Sequence, residues 1–136
     1  MAKDLMKTNC YDVEETMIVV GSCLENMNKS AYTELQNMSN NIYEVCLEST
    51  HLNMVITKLV GMICRKNIKK IIFATVDKSP HCVQLHYIES EIRKAMNTSN
   101  IEMQHFVAVK EGLVEISLDT IKKSKSLYEL EKELNK

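Results

Sequence analysis

The chain has 136 residues, with 17 Lys and Arg against 18 Asp and Glu, so its formal net charge is −1. This balance argues against nucleic acid as the main partner, because binding to phosphate backbones depends on clustered positive charge. Only 3 Gly and 1 Pro are present, and neither the dinucleotide-binding nor the P-loop glycine pattern occurs. The length fits one domain and can bury a core without disulfides.

No apolar run of about 18 residues occurs, so we expect no membrane-spanning helix. The N-terminal stretch MAKDLMKTNC lacks the apolar segment of a signal peptide. We therefore expect a cytosolic protein that does not contact a membrane. The chain has 5 cysteines, and in the reducing cytoplasm they are expected to be thiols or metal ligands rather than disulfides.

Residues 1–14 are polar, and we expect them to be a flexible segment that precedes a single α/β domain over residues 15–136. The domain begins with TMIVVGSC, residues 16–23, whose apolar and β-branched character predicts a buried strand. A short helix is predicted from Ser30. The run NIYEVCLE, residues 41–48, then predicts a second strand.

The second half of the chain continues this alternation. Leu52 begins an apolar stripe at spacings of three and four residues, which predicts an amphipathic helix. KIIFATV, residues 70–76, is a continuous apolar run typical of a central parallel strand. Ser79 and Pro80 form a matched helix start, with serine at the N-cap and proline at the first helical position. IEMQHFVAV, residues 101–109, predicts a fourth strand, and the charged remainder of the chain predicts a helix.

The predicted elements are therefore four strands that alternate with helices. Alternation of this kind favours a mainly parallel sheet with helices on both faces and right-handed crossovers. We expect a three-layer α/β sandwich of the Rossmann-like or flavodoxin-like type. Such sheets bind ligands outside the carboxyl ends of their strands, so a site is expected at that edge.

Three cysteines fall at the expected edge, because Cys23, Cys46 and Cys82 each lie near the end of a different predicted strand or just after it. Thiolates are soft ligands that select zinc or an iron–sulfur cluster. Cys82 also lies near a predicted helix N-terminus, whose positive dipole end favours the thiolate. The candidate further ligands are His51, His81 and His86, and Ser79 is a candidate cofactor-binding residue at the same helix start.

The same cysteines could instead be packing residues, because cysteine is often buried and fills strand ends well. The chain contains no C-x-x-C pair, so the usual structural-zinc, ferredoxin and thioredoxin spacings are missing. Of the remaining cysteines, Cys64 is expected in the core and Cys10 is expected to be idle in the N-terminal segment. His105, inside the fourth strand, is expected to be structural.

The segments IVVGSC, YEVCLE and FATVDKSPHCVQLHYIE, with the later IEMQHFVAVKEG, resemble in layout a known iron–sulfur protein. The family is the small iron–sulfur subunit of F420-non-reducing hydrogenase and heterodisulfide reductase complexes. The resemblance implies electron transfer through a cluster, with Cys23, Cys46 and Cys82 as candidate ligands and a protein partner in a redox complex. The chain departs from that family, which has more cysteines and closely spaced ones, so a fourth ligand would be a histidine or a partner's residue.

Three functions remain open on these grounds. The first is a redox module that binds an iron–sulfur cluster or a metal ion such as zinc. The second is a cysteine-dependent enzyme, with Cys82 as the nucleophile and a histidine as its base. The third is a non-catalytic binding or scaffold subunit of a larger complex or a homo-oligomer, in which the cysteines only pack.

Overall fold

The structure, a computed structural model, describes residues 2–135. Its strands are β1 (Lys3–Asp4), β2 (Glu15–Gly21), β3 (Ile42–Val45), β4 (Ile68–Val76), β5 (Glu102–Val109) and β6 (Gly112–Ile116). They form one six-stranded sheet in the order β1-β3-β2-β4-β5-β6. Neighbouring strands are parallel, except that β5 and β6 form an antiparallel pair.

The helices lie on both faces of this sheet. They are α1 (Leu24–Met27), α2 (Lys29–Gln36), α3 (Leu52–Cys64), a 3-10 helix (Cys82–Tyr87), α4 (Ile88–Ala95), α5 (Leu118–Ser124) and α6 (Leu127–Leu134). The start of α2 is set by Asn28, whose side chain accepts a hydrogen bond from Ala31 N at 3.0 Å, and not by the predicted Ser30. Within residues 2–135, no helix has the length and apolar character needed to cross a bilayer.

The central strands are apolar because both of their faces are covered. Successive side chains of a strand point to opposite sides. Ile71 and Phe73 of β4 therefore join a core with α3 and α4, whereas Ile72 and Ala74 join a second core with α1 and α2. This two-sided burial confirms the predicted three-layer α/β sandwich.

The N-terminal segment packs against the domain, in contrast to the flexible segment expected for residues 1–14. β1 pairs with β3, and Leu5, Cys10 and Val13 are buried in the core on the α3 side. The thiol of Cys10 lies 3.7 Å from Met62 Sδ, so Cys10 is a core residue and not an idle one. The prediction failed because isolated apolar residues among polar ones produce no periodic signal.

Two further expectations are corrected at the ends of elements. Cys64 is exposed rather than buried, because it is the last residue of α3 and lies off the apolar stripe. Residues 112–116, expected to lead into a helix, instead form β6 beside β5. Gly112 adopts φ 127° where the hairpin turns, and Glu34 accepts a hydrogen bond from Leu113 N at 3.1 Å. The short edge strand escaped prediction because only its first residue is buried.

Candidate functional site: a thiol cluster at the sheet edge

The sheet order brings the three predicted cysteines to one place. β3, β2 and β4 are adjacent, so their carboxyl ends lie side by side. A small cavity of about 150 Å³ opens there between the loops that follow these strands. It is lined by Ser22, Cys23, Cys46, Leu47, Glu48, Ser79, His81 and Cys82. We call Cys23, Cys46 and Cys82 the thiol cluster.

Two members of the thiol cluster are in direct contact. The sulfur atoms of Cys23 and Cys82 are 3.8 Å apart. Cys82 is buried and Cys23 is half-buried. Burial, together with the neighbouring Cys82, raises the pKa of the Cys23 thiol to about 11. At neutral pH the Cys23 thiol therefore keeps its proton unless a cation or a metal ion displaces it.

Cys46 is the thiol that ionises more easily than usual. The Ser49 hydroxyl and the backbone N–H groups of Glu48 and Ser49 lie beside the sulfur and lower its pKa. The two Ser49 donors also bond the Cys46 carbonyl oxygen, at 3.2 and 3.1 Å. These donors belong to the turn that follows β3, and they stabilise the negative charge on sulfur. Cys82 was expected to favour the thiolate because it lies near a helix N-terminus. The hydrogen-bond donors that favour a thiolate instead lie around the half-buried Cys46.

The segment after β4 begins its helix later than predicted. The 3-10 helix starts at Cys82, and His81 rather than Ser79 occupies the N-cap position. Ser79 still acts as a partial cap, because its side chain accepts a long hydrogen bond from Cys82 N at 3.4 Å. The turn over residues 77–81 contains Lys78 at φ 70°. Ser79 and Pro80 thus form a tight turn that directs His81 and Cys82 to the cavity.

His81 approaches the thiol cluster from the solvent side. Its Nδ1 lies 3.1 Å from Glu48 Oε1, and both side chains are largely exposed. This contact orients the ring and leaves Nε2 as the nitrogen that could bind a metal ion. Carboxylate–histidine pairs of this kind are common around metal ions, although here the exposure of both groups makes the contact weak by itself.

Comparison with known families bears on the fold. Residues 13–136 match the profile of a family described as "Rossmann-like domain". The chain belongs to that family. Comparison with curated proteins and with solved structures gives no significant match. Since one fold carries many activities, membership of this family does not by itself assign a reaction.

The other two predicted histidines lie elsewhere in this Rossmann-like domain. His51 is an exposed residue at the N-cap of α3 and does not line the cavity. His86 is buried, with Nε2 2.8 Å from Thr75 Oγ1 and Nδ1 3.0 Å from His105 Nδ1. Both ring nitrogens of His86 are therefore engaged away from Cys82, so His86 is placed neither as a ligand beside the thiol cluster nor as a base for Cys82.

Two findings complete the description of the site. Among residues 2–135, no group of three or more His, Cys, Asp and Glu side chains is arranged as a finished metal site. A buried polar chain that includes Thr75 and Glu89 was missed by the sequence analysis. The spacing of Glu89 and Arg93, four residues apart on α4, was the signal that could have indicated it.

Proposed function

We propose that this Rossmann-like domain binds a soft metal centre through the thiol cluster. The centre is either an iron–sulfur cluster, which would make the domain a small redox module, or a zinc ion, which carries no electrons and would be structural. The observation that carries the proposal is the 3.8 Å contact between Cys23 Sγ and Cys82 Sγ in a cavity that Cys46 and His81 also line. A tetrahedral centre with metal–sulfur bonds of about 2.3 Å has sulfur atoms about 3.8 Å apart. The Cys23–Cys82 pair has that separation.

The electrostatics of the pair are consistent with such a ligand set. The pKa of Cys23 is raised by burial and by the neighbouring sulfur, so Cys23 resists ionisation in the absence of a cation. A bound cation reverses this preference, because thiolate binding to a metal releases the proton. Cys46, whose pKa is lowered, would bind with little cost of deprotonation.

The thiol cluster needs a local movement to complete a four-ligand site. Because the described residues contain no finished metal group, Cys46 and His81 must turn toward the Cys23–Cys82 pair. Both residues lie in loops after strands, and His81 is held only by an exposed contact with Glu48. The movement therefore breaks no buried interaction of His81.

The proposal extends to a role in electron transfer with a protein partner. Its support is the resemblance in layout to the small iron–sulfur subunit of hydrogenase and heterodisulfide reductase complexes, together with the shared position of Cys23, Cys46 and Cys82. A cluster at the surface of a small domain suits exchange with a partner, since the cavity lies at the sheet edge and opens outward. A partner's residue could also replace His81 as the fourth ligand.

The test is a set of Cys→Ser variants purified without oxygen and measured for bound iron, zinc and sulfide. Wild type should hold a stoichiometric metal, and Cys23→Ser, Cys46→Ser and Cys82→Ser should each lose most of it. Cys64→Ser is the matched control, because Cys64 is exposed and outside the cavity. Metal-free wild type after reconstitution with iron and sulfide, and separately with zinc, would refute the metal proposal.

A second candidate is reversible disulfide formation between Cys23 and Cys82, and the direct sulfur contact also favours it. A small disulfide oxidant, such as oxidised glutathione, would accept two electrons while both thiols lose their protons and one S–S bond forms. Treatment with that oxidant followed by mass spectrometry should show a loss of two hydrogens located at these residues. Oxidation that links Cys46 instead, or adds glutathione without an internal bond, would exclude this candidate.

A further inference from the structure

A continuous chain of buried polar side chains lies beside the thiol cluster and takes no part in it. Thr75 Oγ1 is 2.8 Å from His86 Nε2, and His86 Nδ1 is 3.0 Å from His105 Nδ1. His105 Nε2 is 2.6 Å from Glu89 Oε1. The other carboxylate oxygen of Glu89 accepts a hydrogen bond from Arg93 Nε, also at 2.6 Å.

The hydrogen bonds limit where the protons can lie. Although burial opposes the ionisation of Glu89, hydrogen bonds from His105 and Arg93 outweigh it and lower the pKa of Glu89. A carboxylate accepts only, so His105 Nε2 carries a proton toward it. In the tautomer in which His105 is neutral, its Nδ1 accepts from His86 Nδ1, and His86 Nε2 is then the acceptor for the Thr75 hydroxyl.

In this order of donors, His86 Nε2 is a proton acceptor for the hydroxyl of Thr75. Burial and the neighbouring His105 lower the pKa of His86 to about 3, so His86 is neutral and its Nε2 lone pair is available. A hydroxyl, an imidazole and a carboxylate in a hydrogen-bonded series are the parts of an activated nucleophile. Here the imidazole of His105 lies between the His86 imidazole and the Glu89 carboxylate.

Thr75 also meets a cavity at the carboxyl edge of the sheet. It is the next-to-last residue of β4, where it pairs with Val107 of β5. A cavity of about 310 Å³ is lined by Thr75, Lys78, Ser79, Val83 and Val107, among others. Only 1% of Thr75 is exposed, and a reagent would reach the hydroxyl through this cavity. Its volume limits the occupant to a small molecule.

We propose that Thr75 is the nucleophile of a second site, which transfers the acyl group of a small ester, with His86 as its general base. His105 and Glu89 are positioning residues, because they touch His86 or each other and not the reacting hydroxyl. The site is separate from the thiol cluster, so it stands whether or not a metal ion binds there.

The proposed reaction balances within the chain of side chains. Oγ1 of Thr75 attacks the ester carbonyl carbon while its proton passes to His86 Nε2. The Nδ1 proton of His86 passes at the same time to His105 Nδ1, so His86 stays neutral and the positive charge rests beside the Glu89 carboxylate. Collapse of the tetrahedral intermediate breaks the bond to the alcohol, which leaves with the proton returned by His86. Water then hydrolyses the acyl-threonine by the same path in reverse.

The experiment is labelling with a small alkyl fluorophosphonate, whose phosphorus forms a stable bond to an activated hydroxyl as fluoride leaves. Wild-type protein should gain one phosphonyl group, and peptide mass spectrometry should locate it at Thr75. Thr75→Val should abolish the label, and Thr75→Ser should keep it. Thr57→Val is the matched control, because Thr57 is an exposed residue of α3 whose Oγ1 donates to the Asn53 carbonyl.

The dependence on the relay is measured by the rate of labelling against pH. His86→Asn should slow labelling by about 100-fold or more, as expected for the loss of a general base. Glu89→Gln should slow it at neutral pH and shift its pH profile, because the charge that passes to His105 loses its counter-ion. Folding of each variant is checked by circular dichroism. Wild-type protein that gains no label at Thr75, or a folded His86→Asn that labels as fast as wild type, would overturn the proposal.

Discussion

Gly21 and Cys82 pack so closely that a Cβ atom on Gly21 would lie 2.7 Å from Cys82 Sγ and 3.2 Å from Cys82 Cβ. Real Cβ atoms are not found at the shorter distance, so the last residue of β2 has to be glycine for Cys82 to hold its position. The contact between Cys23 and Cys82 therefore depends on the absence of a side chain at position 21.

Gly21→Ala should accordingly lower the free energy of unfolding by about 1–3 kcal/mol, as overpacking of a filled site does. It should also displace the Cys82 sulfur and so weaken metal binding and disulfide formation, which both need the Cys23–Cys82 contact. Gly61→Ala is the control, since its Cβ would meet Tyr11 at an ordinary 3.4 Å. In the interior of α3, that change should be neutral or stabilising. Chemical denaturation of both variants tests the difference, and equal stability of the two would contradict it.

Stability should fall on mild acidification because of His86. Its folded-state pKa of about 3 lies below its ordinary value of 6.5, so unfolded chains bind a proton that the folded state excludes. This contribution is fully present above pH 6.5 and decreases as the pH falls toward 3. The slope is at most about 1.4 kcal/mol per pH unit for one proton. The lowered pKa of Glu89 acts in the same direction at lower pH.

Urea unfolding between pH 5 and 7 measures this slope. His86→Asn should be less stable at pH 7 and show a flatter dependence on pH. His51→Asn, at an exposed histidine outside the buried chain, should keep the wild-type slope. A wild-type stability that is constant over the whole range would show that His86 does not exclude its proton.

The thiols of metal-free, reduced protein should react in a defined order. Cys46 should be alkylated by iodoacetamide faster than Cys23 at pH 7, because hydrogen bonds from Ser49 and the backbone lower its pKa while burial raises that of Cys23 to about 11. Ser49→Ala should slow alkylation of Cys46 and move its half-point to higher pH. Ser99→Ala, at an exposed serine, is the control. Peptide mass spectrometry gives the individual rates, and a Cys23 rate equal to that of Cys46 would contradict the order.

The N-terminal segment should contribute to stability because it packs against the domain. Leu5 is fully buried beside α3, so Leu5→Ala should cost about 2–5 kcal/mol. The neighbouring Lys7 is exposed, and Lys7→Ala should change stability by no more than about 0.5 kcal/mol. Thermal unfolding monitored by circular dichroism distinguishes the two. Equal midpoints would mean that the segment does not pack on the domain in solution.

The central strands could be predicted from the sequence because their burial is two-sided. The run IIFA in β4 is apolar without interruption, since Ile71 and Phe73 face one core and Ile72 and Ala74 face the other. The edge strands could not be predicted in the same way. β1 has two residues and β6 has a single buried one, and both form because a neighbouring strand supplies hydrogen-bond partners.

Much of the thiol cluster could also be predicted from the sequence alone. A cysteine near the end of each of three strands indicates a shared edge in any open parallel sheet, and the order β3-β2-β4 makes those ends adjacent. What the sequence did not indicate is which thiol ionises most easily. The lowered pKa of Cys46 arises from a turn whose donors converge on sulfur, which the residue order alone does not reveal.

The sequence by itself determined the layered α/β architecture and the edge at which the cysteines lie, because both follow from local periodicity and chain order. Only the tertiary structure decided the partners of the histidines. His86 is four residues from Cys82 on the same 3-10 helix, yet it contacts Thr75 of β4 and His105 of β5. Buried polar groups must pair with whatever donors and acceptors packing brings near, and packing joins residues distant in the chain.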